Sequence, residues 1–154
     1  THPTTRMCLR WIARQASELQ QQRVLDYGCG SGILAIGAAL HGASLIDAVD
    51  IDEAAVQSTQ DNAQANRVSL NAGLPDQVSS EPRSYHVVLA NILATPLKVL
   101  APLLTGHVAA GGYLVLAGIL DRQEDELKAA YAPYAQLDVS DSEDGWILMT
   151  ARLA

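Results

Sequence analysis

The chain has 154 residues, 49% of them hydrophobic and 18% charged, which suits one folded domain with a sizeable core and excludes an extended disordered chain. A formal charge of −7, with ten Lys and Arg that nowhere form a run, argues against a long nucleic-acid-binding face; it suits a basic partner, although maintaining solubility is by itself the default role of such a charge. The longest apolar run, over residues 33–40, is far below the roughly 18 residues a membrane span needs, and no leader-like segment opens the chain, so a soluble cytoplasmic protein without membrane contact is expected.

In chain order, an amphipathic helix is predicted from Thr4 or Thr5 to about Leu19. Cys8, Trp11, Ile12, Ala16 and Leu19 share one face, and a threonine serves as cap. A short apolar strand over 23–27 then runs into Gly28-Cys29-Gly30-Ser31-Gly32, followed by an apolar helix over 33–41 closed by Gly42. Without a Cβ, Gly28 and Gly30 let the main chain approach a ligand closely, while the helix start offers unpaired N–H groups. The dinucleotide fingerprint would place its third small residue at position 33, which is Ile, so the spacing is G-x-G-x-G instead.

A second strand over 45–50 ends in carboxylates about 20 residues beyond this loop, the offset at which an acid meets ribose hydroxyls. Asp50 is the candidate, since one carboxylate accepts from both vicinal hydroxyls, and Ile51 beside it would pack on adenine. Asp52 is expected to cap the helix over 53–66, whereas no structural role of Asp50 is evident. A short strand over 68–72 follows, and then a fourth strand over 86–90. Asn91 closes that strand with an amide where the apolar residues cease, a place fit for catalysis or for capping the next helix. A helix over about 94–104 with Pro96 in its first turn, a strand over 113–118 and a helix over 121–132 come next. Runs at 135–140 and 146–152, joined by Asp141-Ser142-Glu143-Asp144-Gly145, read as a closing hairpin.

These elements predict a seven-stranded, mostly parallel α/β sheet with an antiparallel terminal strand and helices on both faces. In such sheets ligands sit beyond the carboxyl ends of the strands, so strands one, two and four should converge on one crevice. Cys8 and Cys29 are expected to be reduced thiols, and His2, His41, His86 and His107 have no ligand spacing, so no metal is expected.

The G-x-G-x-G loop resembles that of class I S-adenosylmethionine-dependent methyltransferases (Rossmann-like), whose third glycine passes the amino-acid end of the cofactor. Nearly the whole chain resembles the PrmA family, bacterial enzymes that methylate ribosomal protein L-eleven. The likeness rests on Thr1-His2-Pro3-Thr4-Thr5, Asp26-Tyr27-Gly28-Cys29-Gly30-Ser31-Gly32-Ile33-Leu34-Ala35-Ile36, Val49-Asp50-Ile51-Asp52, Ala90-Asn91-Ile92-Leu93-Ala94 and Ala117-Gly118-Ile119-Leu120. The resemblance implies a single S-adenosyl-L-methionine-binding catalytic domain acting on lysine or terminal amines of a large-subunit ribosomal protein. It implies cofactor contacts from Thr5, Gly28, Asp50 and Asn91, and Asp26, Gly30, Gly32 and Ile51 complete the expected cofactor-binding set. In related Asn-Pro-Pro-Tyr methyltransferases the Asn oxygen and the next backbone carbonyl accept hydrogen bonds from the target nitrogen. By analogy, Asn91 and the Ile92 carbonyl are the expected catalytic pair.

Reaction would be in-line displacement by a neutral amine, driven mainly by positioning. Deprotonating a lysine costs about 4.6 kcal/mol at pH 7 when its pKa is ordinary, and no general base is evident. Two departures stand out: His86 replaces the family's acid at the start of the fourth strand, and the family's amino-terminal ribosomal-protein-gripping domain is absent, so a catalytic-domain fragment is expected. The competing readings are a nicotinamide oxidoreductase, opposed by Ile33 and the closing hairpin, another protein or small-molecule class I methyltransferase, and an inactive cofactor-binding module.

Overall fold

Side chains alternate across the strands and so divide the core in two. Val24, Val87, Leu89 and Val115 meet Met7, Trp11, Ile12 and Leu34 on one face, while Leu25, Val88, Leu114 and Leu116 meet Leu97, Leu104, Leu127 and Tyr131 on the other. The computed structural model describes residues 1–77 and 81–154. Helix α1 (Pro3–Arg14) and the single turn α2 (Ala16–Leu19) precede β1 (Arg23–Tyr27), α3 (Ile33–Leu40), β2 (Leu45–Val49), α4 (Glu53–Ala65) and β3 (Asn71–Gly73). The second half holds β4 (Tyr85–Asn91), α5 (Ala94–Val99), α6 (Ala101–His107), β5 (Val108–Leu120), a 3₁₀ turn (Asp121–Gln123), α7 (Glu124–Tyr131), β6 (Asp138–Glu143) and β7 (Trp146–Arg152).

The sheet order is β3-β2-β1-β4-β5-β7-β6, with β7 antiparallel to both its neighbours and the other pairs parallel. Strand order therefore reverses at β1, between β2 and β4, and this switch point opens the crevice beyond their carboxyl ends. The seven strands, the antiparallel terminal strand and the two helical layers agree with the sequence reading. Among the described residues no helix is long and apolar enough to cross a membrane.

Several boundaries are corrected by local chemistry. The first helix starts at Pro3, and its cap is His2, whose ring accepts from the Thr4 N–H, rather than a threonine. The strand expected over 68–72 begins only at Asn71, because α4 exits through Arg67 at φ 57 and the Val68 N–H returns to the Ala63 carbonyl. That pattern is a Schellman motif, which takes up Val68, the first residue read as strand. The helix expected over 94–104 is two helices divided at Leu100, since Pro102 has no N–H with which to continue the first. Strand β5 runs over 13 residues rather than 113–118, with Gly111 at φ 78 interrupting its apolar pattern. The helix expected over 121–132 opens as the 3₁₀ turn. The hairpin turn is only Asp144-Gly145, both at positive φ, so Asp141, Ser142 and Glu143 belong to the edge strand β6. Their acids pair with the arginines of α1: Arg10 reaches Asp141 at 3.0 Å and Glu143 at 2.8 Å, and Arg6 also binds Glu143.

Candidate active site

The glycine loop is tied to the end of β2 by the Gly28 and Cys29 N–H groups, which donate to the Val49 carbonyl at 2.8 and 2.9 Å. Gly28, Gly30 and Gly32 lie at φ 80, 56 and 84, a region that side chains resist, so the turn needs this spacing of glycines. Helix α4 braces the loop from one side. The buried Thr59 hydroxyl donates to the Gly30 carbonyl at 3.0 Å and lies 3.3 Å from the Cys29 sulfur, and Asn62 donates to the Ser31 carbonyl at 2.9 Å. Sequence reasoning missed both braces, whose only signal is a pair of polar residues three apart on the helix after the acid.

Asp50 spans the gap between loop and helix. Its two carboxylate oxygens each accept a backbone N–H at 3.0 Å, from Gly30 and from Asp52. Asp50 thus has the structural role that its position in the sequence did not reveal, and each oxygen keeps lone-pair capacity for a ligand hydroxyl. Asp52 caps α4 as expected, accepting from the Ala54 N–H at 2.9 Å.

Asp26 lies beneath the loop rather than on a cavity wall. It is 1% exposed and accepts from the Ala35 N–H at 3.2 Å, in the first turn of α3. Burial pushes its carboxyl up to about 7 against the pull of that hydrogen bond, with the charge of Asp50 adding to the rise. Burial likewise pushes the Cys29 thiol up to about 11 and the Cys8 thiol up to about 12, so neither is a thiolate nucleophile at neutral pH. Among the described residues no group of three or more His, Cys, Asp or Glu is gathered as a metal site.

Among the described residues, two cavities at this end of the sheet contain candidate residues. One, of about 610 Å³, is an apolar slot walled by Tyr27, Gly28, Ile51, Ile92 and Val99 with Asp50 at its rim. The other, of about 320 Å³, is lined by His2, Thr4, Asn91, Ile92, Gly118 and Trp146. Ile92 belongs to both. The Asn91 amide nitrogen lies 3.5 Å from the Thr5 hydroxyl, which brings the threonine motif to the end of β4. Gly28, Asp50 and Ile51 thus share the first cavity and Asn91 and Ile92 the second, whereas Gly32 faces Thr59. His86 sits at the opposite end of β4, its Nε2 3.9 Å from Glu18 and its ring against Tyr113. A further cavity of about 580 Å³ beside Arg23, Leu45 and Asn71 contains none of the candidate residues.

A glycine loop after β1, an acid beyond β2 and a polar side chain at the end of β4, on a sheet with β7 inserted antiparallel, define a class I S-adenosylmethionine-dependent methyltransferase fold. Residues 1–154 match the family model described as ribosomal protein L11 methyltransferase (PrmA), and the chain belongs to that family. A ribosomal protein L11 methyltransferase of Polaromonas sp. is 72% identical over 153 residues, which are 99% of this chain and 50% of the relative. That of Bordetella parapertussis is 54% identical over 149 residues, or 97% of this chain and 47% of the relative. The chain thus spans about half the length of the curated relatives it matches. The crystal structure of a ribosomal protein L11 methylase from Lactobacillus delbrueckii superposes with a TM-score of 0.85 at 31% identity, covering 100% of this chain and 81% of that one. A 16S rRNA N2 G1207 methyltransferase of T. thermophilus, solved with AdoMet and guanosine, shares the fold with a TM-score of 0.83 at 17% identity, covering 100% of this chain and 44% of that one.

Proposed function

We propose that this chain binds S-adenosylmethionine and directs its methyl group to amino groups, lysine side chains or a terminal amine, of ribosomal protein L11 in the large subunit. Family membership supports the substrate, and the shared wall of the two cavities at Ile92 is the observation that carries the chemistry. The larger cavity fits an adenosine: its walls are apolar, Ile51 is 85% exposed for a flat ring to cover, and the Asp50 carboxylate stands at the rim where vicinal hydroxyls would donate. Gly30 adds an open face, since a Cβ there would meet nothing within 4 Å. S-adenosylmethionine, when bound, supplies an electrophilic methyl group.

The rest belongs to the chain. Asn91 Oδ1 and the Ile92 carbonyl accept hydrogen bonds from the target amine and aim its lone pair across the shared wall. Neither acceptor ionises, so they hold the neutral amine without the added charge of a carboxylate that would favour the ammonium form further, and its proton leaves through water before attack. A ribosomal substrate suits a cytoplasmic protein.

Calorimetric titration with S-adenosylmethionine and with NAD, for the parent and Asp50→Ala, tests the cofactor. Binding of S-adenosylmethionine alone, weakened by the substitution, is expected, and preference for NAD would overturn the reading. Transfer of labelled methyl to ribosomal protein L11 tests the reaction, and binding without transfer would leave a cofactor-binding module.

A further inference from the structure

Ile92 is the first residue beyond the paired part of β4, whose register with β5 ends at Asn91 opposite Ala117. The residue lies instead between two glycines from distant parts of the chain, its side chain against one and its peptide against the other. On one side a Cβ at Gly28 would stand 2.7 Å from Ile92 Cγ2, inside normal contact. On the other, a Cβ at Gly118 would overlap the Ile92 carbonyl oxygen and stand 2.7 Å from its carbonyl carbon. Gly118 sits at φ 89 where the pairing of β5 with β7 shifts register between Leu116 and Ile119, a bulge beside the site. The bulge turns the bare α-carbon of Gly118 toward Ile92 and into the wall of the smaller cavity.

We infer that Gly118 is a positioning residue for methyl transfer: its missing side chain lets the Ile92 carbonyl stand beside Asn91 as the second acceptor for the target amine. The inference rests on the methyl-transfer reading above. The atoms a Cβ would strike are backbone, so the Ile92 peptide would have to move rather than a side chain swing aside. A shift of about 1 Å in a positioning group costs on the order of 100-fold in rate.

Gly118→Ala and Gly118→Asn separate this role from a demand of the fold, because both add the same Cβ while Asn tolerates positive φ better. The measurements are kcat and KM for methyl transfer from S-adenosylmethionine to ribosomal protein L11, the Kd for S-adenosylmethionine by calorimetry, and Tm. In both variants kcat is expected to fall about 100-fold while that Kd stays within about threefold. In an Asn91→Ala background the same substitutions should add less than about threefold, since both act on one acceptor pair. Recovery of parental kcat by the Asn variant would overturn the proposal. So would a Kd that weakens in step with kcat, losses that simply multiply with Asn91→Ala, or failure of both variants to fold. A parent that neither binds S-adenosylmethionine nor transfers methyl defeats the underlying reading as well, whereas an active parent with unaltered Gly118 variants defeats the positioning role alone.

Discussion

Thr5 and Asn91 stand 86 residues apart in the chain, and their side chains meet at 3.5 Å across the mouth of the site. The amide nitrogen is turned to the threonine, which leaves Asn91 Oδ1 for the target amine in the proposed reaction. At that length the contact orients more than it binds. Thr5→Val is therefore expected to lower turnover by about three- to tenfold, and Asn91→Ala by about 100-fold with cofactor affinity changed less than about threefold. Steady-state kinetics beside calorimetry checks this, and equal losses of turnover and affinity would assign Asn91 to cofactor binding instead.

Asp50 holds both the loop and the start of the next helix through the Gly30 and Asp52 N–H groups. Asp50→Ala leaves those donors without their acceptor and would remove the proposed ribose contact. The expected result is a loss of about 1–3 kcal/mol in stability and at least about tenfold in S-adenosylmethionine affinity. Asp50→Asn keeps one acceptor oxygen and turns an NH₂ against the other N–H, so it should recover part of the stability and little of the affinity. Urea unfolding and calorimetry on the two variants separate bracing from binding.

Asp26 gives the domain a pH-dependent stability. Its folded pKa of about 7 exceeds the ordinary 3.8, so the folded chain keeps this proton over a range in which the unfolded chain has lost it. The contribution to stability is full below about pH 4, declines as pH rises toward about 7 and is level above that. Between about pH 5 and about pH 8 the parent should lose on the order of 3 kcal/mol more than Asp26→Asn, whose amide does not titrate. Urea unfolding at the two pH values measures it, and identical slopes for parent and variant would mean that the carboxyl is ionised throughout.

The parts of the fold legible in the sequence were those set by local pattern. Val24 to Tyr27, Leu45 to Val49 and Trp146 to Arg152 are apolar runs between turn residues, and their strands fall where periodicity places them. Edge elements were misread because their chemistry is not periodic. Asp141 and Glu143 look like turn residues until the arginines of α1 are laid alongside, and Val68 looks like a strand start until the helix exit claims it. The candidate site divides in the same way. Gly28, Asp50 and Asn91 were visible because each stands at a strand end, and strand ends converge by topology. The bracing by Thr59 and the fit of Gly118 to Ile92 depend on long-range packing, which spacing along the chain does not encode.

Gly30 and Gly32 share positive φ but have different neighbours, so the same substitution should act on them differently. At Gly30 an added Cβ meets nothing within 4 Å, and the cost of Gly30→Ala is the left-handed backbone alone, about 1–2 kcal/mol. The new methyl would occupy the open face offered to the ligand, so affinity for S-adenosylmethionine should fall at least about tenfold in a protein that remains folded. At Gly32 the Cβ would stand 2.7 Å from Thr59 Cγ2, and Thr59 is fully buried and holds the Gly30 carbonyl. Gly32→Ala therefore adds overpacking to backbone strain, for a loss of about 2–5 kcal/mol. Truncating the obstructing methyl in Gly32→Ala with Thr59→Ser, which keeps the hydroxyl, should restore part of that stability. Thermal unfolding of the single and double variants decides the matter: if Thr59→Ser restores nothing, the Thr59 Cγ2 contact contributes nothing to the loss at Gly32.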